Sequence, residues 1–233
     1  MRKHIPNTIT CCNQICGCIA VSFAFHHDCW GCFMFIILGA VFDFFDGFTA
    51  RLLRVSSPIG KELDSLADCI TFGFAPATLL FSLLQRVIGQ QYPLLPYIAF
   101  VLAAFSALRL AKFNLDERQA LGFIGLPTPA CALFWASSCV WCNDSAAVSQ
   151  FLAAHSEASA ALLIALMLLS CWMLVSEIPM FALKFKHYAW EGNALKYSFV
   201  LLSALLLVLL GWGGFAPIVV LYVILSVLTC RKK

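Results

Sequence analysis

Residues 43–68, DFFDGFTARLLRVSSPIGKELDSLAD, place Asp43, Asp46, Asp64 and Asp68 between apolar runs long enough to cross a bilayer. A carboxylate near the centre of a membrane helix costs roughly 3 kcal/mol on insertion scales. Four in one stretch need a compensating partner. Asp43 and Asp46 are three residues apart and Asp64 and Asp68 four apart, so on helices each pair shares one face. If the two helices run antiparallel and are joined by a short loop, the pairs can converge into one four-carboxylate cluster. Its self-repulsion is relieved by basic partners or by bound divalent cations. Arg51, Arg54 and Lys61 are close in sequence but nearer the connecting loop. Hard oxygen donors at this density suit Mg²⁺, Mn²⁺ or Ca²⁺. The non-catalytic alternative is a salt-bridged helix pair, against the general rule that acids inside a membrane mark function.

Gly47, Ala50 and Gly60 lie among the acids, with Gly73 and Ala75 further on. Small residues let two backbones, or a backbone and a flat ligand, come close. Taken alone they read as ordinary helix packing. Together with the acids they describe a metal site beside a slot. With Arg and Lys nearby, that combination suits a pyrophosphate-bearing substrate, and its place in the membrane makes that substrate a lipid.

The elements that must position these groups are membrane helices. The 233 residues are 62% hydrophobic and 12% charged, too few charges to cover a soluble domain. Apolar runs separated by Gly, Pro and Asn predict eight spans, near 9–25, 31–50, 64–85, 92–110, 127–142, 155–175, 195–211 and 214–230. With the N-terminus in the cytoplasm, Arg2, Lys3, Arg51, Arg54, Lys61, Arg109, Lys112, Arg118, Lys184, Lys186, Lys196, Arg231, Lys232 and Lys233 fall on the inner side and only Arg86 on the outer. That asymmetry obeys the positive-inside rule. It places both termini and the aspartates at the cytoplasmic face of the cell membrane. No cleavable signal peptide, second domain, low-complexity tail or nucleic-acid partner is expected, and the net charge of +3 matters less than its distribution. Most of the twelve cysteines sit in apolar runs, where Cys acts as a small hydrophobe. The pairs Cys29/Cys32 and Cys139/Cys142 have C-x-x-C spacing, a weak signal for metal or redox chemistry beside a packing role.

The acidic stretch reads D-x2-D-G-x2-A-R-x8-G-x3-D-x3-D, met by Asp43, Asp46, Gly47, Ala50, Arg51, Gly60, Asp64 and Asp68. It resembles the signature of the CDP-alcohol phosphatidyltransferases, membrane enzymes that move a phosphatidyl or similar group from a CDP-linked donor to an alcohol and release CMP. SPIGKELDSLADCITFGFAPA (57–77), IPNTITCCN (5–13), ALRLAKFN (107–114) and GFIGLPTPA (122–130) are similar to the branch of that family that uses serine as acceptor. The likeness covers roughly the first 130 residues, and beyond them only hydropathy agrees. It implies an all-α integral membrane protein, about eight helices in all. The first six would form a CDP-alcohol phosphatidyltransferase-like core over about 1–175, in a homodimer, with two added helices at about 195–230. The whole chain, 1–233, is then one membrane-embedded catalytic domain.

By the same resemblance, Asp43, Asp46 and Asp64 bind metal, and Asp68 shares a second ion and serves as general base toward the serine hydroxyl. The donor would be CDP-diacylglycerol. Gly47 and Ala50 make room for the cytidine nucleotide, Gly60 belongs to the same wall, and Arg51 meets a phosphate. Thr10 and Asn13 are further nucleotide candidates, with helix-start capping as the alternative. Arg109, Lys112 and Asn114 are candidates for the serine carboxylate, with plain membrane anchoring as the alternative. Lys112 stands where Arg is expected, which keeps the charge and loses the planar fork. His187, Lys184 and Lys186 suit anionic headgroups. The nearest rival is a sister enzyme whose acceptor is glycerol 3-phosphate or inositol. A rival of another class is a divalent-cation transporter, which requires acids near the midplane and a polar path to the far side.

Overall fold

The computed structural model describes residues 4–55, 57–116, 123–181 and 193–230. Arg2, Lys3, Arg118, Lys184, Lys186, His187 and Arg231, Lys232 and Lys233 lie outside the described residues. The helices are α1 His4–Phe25, α2 Cys29–Leu53, α3 Pro58–Asp68, α4 Ala75–Ile88, α5 Phe100–Leu115, α6 Thr128–Asp144, α7 Ala146–Ala154, α8 Ser156–Val175, α9 Ala194–Leu210 and α10 Phe215–Cys230. A π-turn, Cys69–Phe74, makes α3 and α4 one continuous stretch, and a 3₁₀ turn, Leu95–Ala99, leads into α5.

All eight expected spans are present as helices. Six stretches are long and apolar enough to cross a membrane. Helix α6, with 17 residues, adds another, and one of the six, Ala194–Thr229, is 36 residues long and holds two helices, which makes eight. The chain reverses there: Gly211 has φ 57°, and a Cβ on Gly214 would lie 2.8 Å from the carbonyl oxygen of Leu206. In a straight helix those two residues would be about 12 Å apart. The short helix α7 in the expected outer loop was not legible in the sequence. Neither was a two-residue antiparallel pairing of β1 Phe123–Ile124 with β2 Pro179–Met180.

Local chemistry sets the boundaries of the acidic helices. Asp28 caps α2 by accepting from the Gly31 amide at 2.8 Å, and Arg54 ends it in the left-handed conformation, φ 52°. Ser57 caps α3 by accepting from the Gly60 amide at 3.1 Å, with Pro58 at the first helical position, where its missing N–H costs nothing. After the short 54–57 connection α3 packs against α1, which also packs against α2, so Asp64 and Asp68 come back beside Asp43. Gly125 explains part of the GFIGLPTPA stretch: its φ is +75°, and a Cβ would lie 2.8 Å from the carbonyls of Leu174 and Ser176.

The core runs through the middle of the bundle, with Phe33, Ile36, Phe72, Leu79, Leu80, Leu84, Trp135 and Met167 almost fully buried. In lipid, such packing and a few interhelical hydrogen bonds drive association. Ser82 Oγ donates to the Ala24 carbonyl at 2.6 Å within this core. One end of the bundle is tied by Trp30 Nε1 donating to Asp144 and Arg86 donating to Asn143, both at 2.6 Å. The other end carries the aspartates with Lys61, Arg109 and Lys112. Every described cysteine is a free thiol, and Cys29, Cys32, Cys139 and Cys142 are buried at the end opposite the aspartates.

Candidate active site

Helices α2 and α3 do bring the acids together. Asp43 from α2 and Asp64 and Asp68 from α3 each offer a carboxylate oxygen, all within 4.8 Å of one another. Asp43 and Asp64 are in hydrogen-bonding contact. Asp46, one turn further along α2, accepts from the Thr10 hydroxyl at 2.6 Å. Asp68 accepts from Asn13 Nδ2 at 3.2 Å. Asp64 Oδ1 is buried with no hydrogen-bond partner. Among the described residues no basic side chain lies within ion-pair distance of any of the four, so the salt-bridged helix pair is not what forms. Buried oxygens this close, one of them orphaned, fit a divalent cation. Among the described residues the core beyond them is mainly apolar, with single buried hydroxyls such as Thr78 and Ser82 in it.

Beside the acids a cleft of about 290 Å³ opens between α1, α2 and the start of α3. Its walls include Asn7, Thr10, Asp46, Gly47, Ala50, Gly60, Lys61 and Asp64. The two motif glycines differ in role. A Cβ on Gly47 would meet nothing closer than Arg51 Nη2 at 4.0 Å, so it would project into open cleft. A Cβ on Gly60 would lie 3.0 Å from Asn7 Oδ1 and from Ser57 Oγ, so Gly60 packs against α1. Arg51 is exposed and stands outside the cleft lining. Of the two α1 candidates, Thr10 lines the cleft, and Asn13 lies deeper, fully buried on Asp68.

The three α5 candidates also separate. Arg109 is 6% exposed, stacks over the Phe113 ring at 4.7 Å and feels the charge of Asp68. Its Nε has no partner, and neither do the buried hydroxyls of Ser106 and Thr128. Lys112 is engaged elsewhere, donating to the Val175 carbonyl at 3.2 Å and pairing with Glu177 at 3.7 Å. Asn114 donates to Ser65 Oγ at 2.8 Å, and its carbonyl accepts from Lys61 Nζ at 2.9 Å. Those contacts clamp the end of α5 onto α3. Lys61, in the cleft wall, and Thr71, whose hydroxyl donates to the Asn13 carbonyl, were missed. Lys61 reads as a charge near a loop, and no sequence signal marks a π-turn.

A profile of the CDP-alcohol phosphatidyltransferase family matches residues 3–175. The chain is 39% identical over 131 residues to the CDP-diacylglycerol–serine O-phosphatidyltransferase of Bacillus subtilis, 36% over 140 residues to that of Methanocaldococcus jannaschii and 33% over 138 residues to that of Mycobacterium leprae. These alignments take in 54%, 60% and 55% of this chain, and 70%, 62% and 44% of those proteins. The profile spans the cleft, the acidic cluster and the six helical crossings around them, and on that ground the chain belongs to the CDP-alcohol phosphatidyltransferase family.

Proposed function

We propose that this protein transfers the phosphatidyl group of CDP-diacylglycerol to the hydroxyl of L-serine, releasing CMP. The observation that carries the reading is the convergence of Asp43, Asp64 and Asp68 beside a cleft that Gly47 leaves open. Similarity to relatives named for serine supports the choice of acceptor.

Asp43, Asp46, Asp64 and Asp68 would hold divalent metal, Mg²⁺ or Mn²⁺, with two ions matching the four carboxylates. When bound, the metal neutralises the pyrophosphate and the charge that develops on it. Gly47, Ala50 and Thr10 shape the nucleotide cleft, Gly60 sets its α1 wall, and Lys61 and Arg51 supply positive charge at its mouth. Asp68 takes the proton from the serine hydroxyl. The serine oxygen then bonds to the lipid-side phosphorus as the bond from that phosphorus to the CMP oxygen breaks. Arg109, buried on the same side as Asp68 and with Nε unsatisfied, receives the serine carboxylate. Lys112 and Asn114 contribute by fixing the end of α5. The enzyme works as a homodimer in the cell membrane, with both termini and the acidic end of the bundle facing the cytoplasm.

Incubation of purified protein with CDP-diacylglycerol and isotope-labelled serine tests the reading. Labelled phosphatidylserine by mass spectrometry, in equal amount to CMP, is the expected product. Label found only with glycerol 3-phosphate or inositol would transfer the assignment to a sister reaction.

A further inference from the structure

Directly after Asp68 the helix changes pitch. The Ala75 amide closes a π-turn on the Ile70 carbonyl. Such turns insert an extra residue into an α-helix and occur often at functional sites. Thr71, within the turn, is completely buried, and its hydroxyl donates to the main-chain carbonyl of Asn13 at 3.1 Å. Its seat is cut by two glycines on two other helices. A Cβ on Gly17 of α1 would lie 2.4 Å from Thr71 Oγ1, and a Cβ on Gly39 of α2 would lie 2.5 Å from Thr71 Cγ2. Helices α1 and α2 therefore close on the π-turn only because both residues lack a side chain.

Asn13, the residue Thr71 holds, is itself fully buried and donates to Asp68 Oδ1. Its own Oδ1 has no partner and would stand 3.0 Å from a Cβ on Gly39. It is absent from the cleft wall, where α1 contributes Pro6, Asn7 and Thr10. A buried amide that leaves its oxygen unsatisfied and points its N–H at one carboxylate is best explained by that carboxylate. With one oxygen of Asp68 bonded, rotation of the carboxylate is opposed and the second oxygen is biased toward one direction.

We propose that Asn13 is a positioning residue for Asp68, and that Thr71, seated between Gly17 and Gly39 by the π-turn, holds Asn13 in place. The proposal rests on the reading of Asp68 as the base. It is tested by steady-state kinetics on the purified full chain, with rates normalised to CDP-diacylglycerol sites counted by equilibrium binding. Asn13→Leu, similar in size and without a donor, is expected to lower kcat roughly ten- to a hundredfold, with the KM for CDP-diacylglycerol within about twofold of wild type. In an Asp68→Asn background the same change is expected to cost nothing further. Thr71→Val lowers kcat in the same manner, and Thr71→Ser, which keeps the hydroxyl, restores it. If Asn13→Leu does not fold, the Thr71 pair decides. Wild-type kcat in Asn13→Leu, equal loss in Thr71→Val and Thr71→Ser, or a loss confined to donor KM overturns the proposal and leaves the base assignment standing. Wild-type kcat in Asp68→Asn overturns both.

Discussion

Pro58–Ile88 and Ala194–Thr229 are both long apolar stretches, yet 67% of the most apolar window of the first is buried within the protein and 11% of the second. The first is hemmed in by α1, α2, α5 and α6 and meets them through small and polar groups. Gly17, Gly39 and Gly73 receive it or let it approach, and Thr71 bonds across to α1. The second turns most of its Leu and Val side chains outward, with Leu201, Val208 and Leu209 all more than half exposed. It is fastened by a few contacts, among them Tyr222 donating to the Phe181 carbonyl at 3.0 Å and Ser137 donating to that of Trp212 at 3.0 Å. Lipid asks only for hydrophobicity, whereas a helix neighbour and a ligand ask for particular atoms at particular places.

Removing charge from the acidic cluster that the buried stretch forms with α2 should have the largest effect. Asp43→Asn or Asp64→Asn is expected to abolish CMP release, read across a wide range of Mn²⁺ and Mg²⁺. Full activity at ordinary metal concentration would remove that residue from the metal site.

Glycines sharpen the comparison within the acidic region itself. Gly39→Ala drives a methyl into Thr71 and should destabilise the fold by about 1–3 kcal/mol, seen as a lower Tm. Gly47→Ala meets no protein atom closer than 4.0 Å, so Tm should hold while the KM for CDP-diacylglycerol rises. The reverse pattern would mean that Gly47 packs and Gly39 binds.

Arg109→Lys retains charge and loses the two-point fork. The KM for serine should rise about tenfold or more, with the KM for CDP-diacylglycerol unchanged. An unchanged serine KM would make Arg109 a packing residue stacked on Phe113.

The smallest effect belongs to the C-terminal hairpin. Tyr222→Phe removes one hydrogen bond and should cost about 0.5–1.5 kcal/mol in stability, with kcat within twofold of wild type. A large drop in kcat would bring the hairpin into the active site and erase the contrast between the two regions.

Legibility followed the same division. The convergence of Asp43, Asp64 and Asp68 could be read because helical spacing fixes which face a residue occupies. The eight spans could be read because bilayer thickness fixes their length. Thr10 and Asn13 looked alike in sequence, one helical turn apart, and the structure sends one to the cleft and the other beneath Asp68. The reason is Thr71, whose side chain reaches α1 through a π-turn that no residue pattern announces. Lys112 and Asn114 looked like ligands for the acceptor because, with Arg109, they end the fourth expected span on the side expected to be cytoplasmic. Their contacts with Val175, Glu177, Ser65 and Lys61 come from chain segments distant in sequence.

The central claim is that these aspartates catalyse transfer to serine, and CMP release by purified protein tests it most directly, measured with CDP-diacylglycerol and either serine, glycerol 3-phosphate, inositol or no acceptor. Release that depends on divalent metal, is fastest with serine and vanishes in Asp64→Asn is the predicted result. Release that is independent of serine, or that survives in Asp64→Asn, would contradict it.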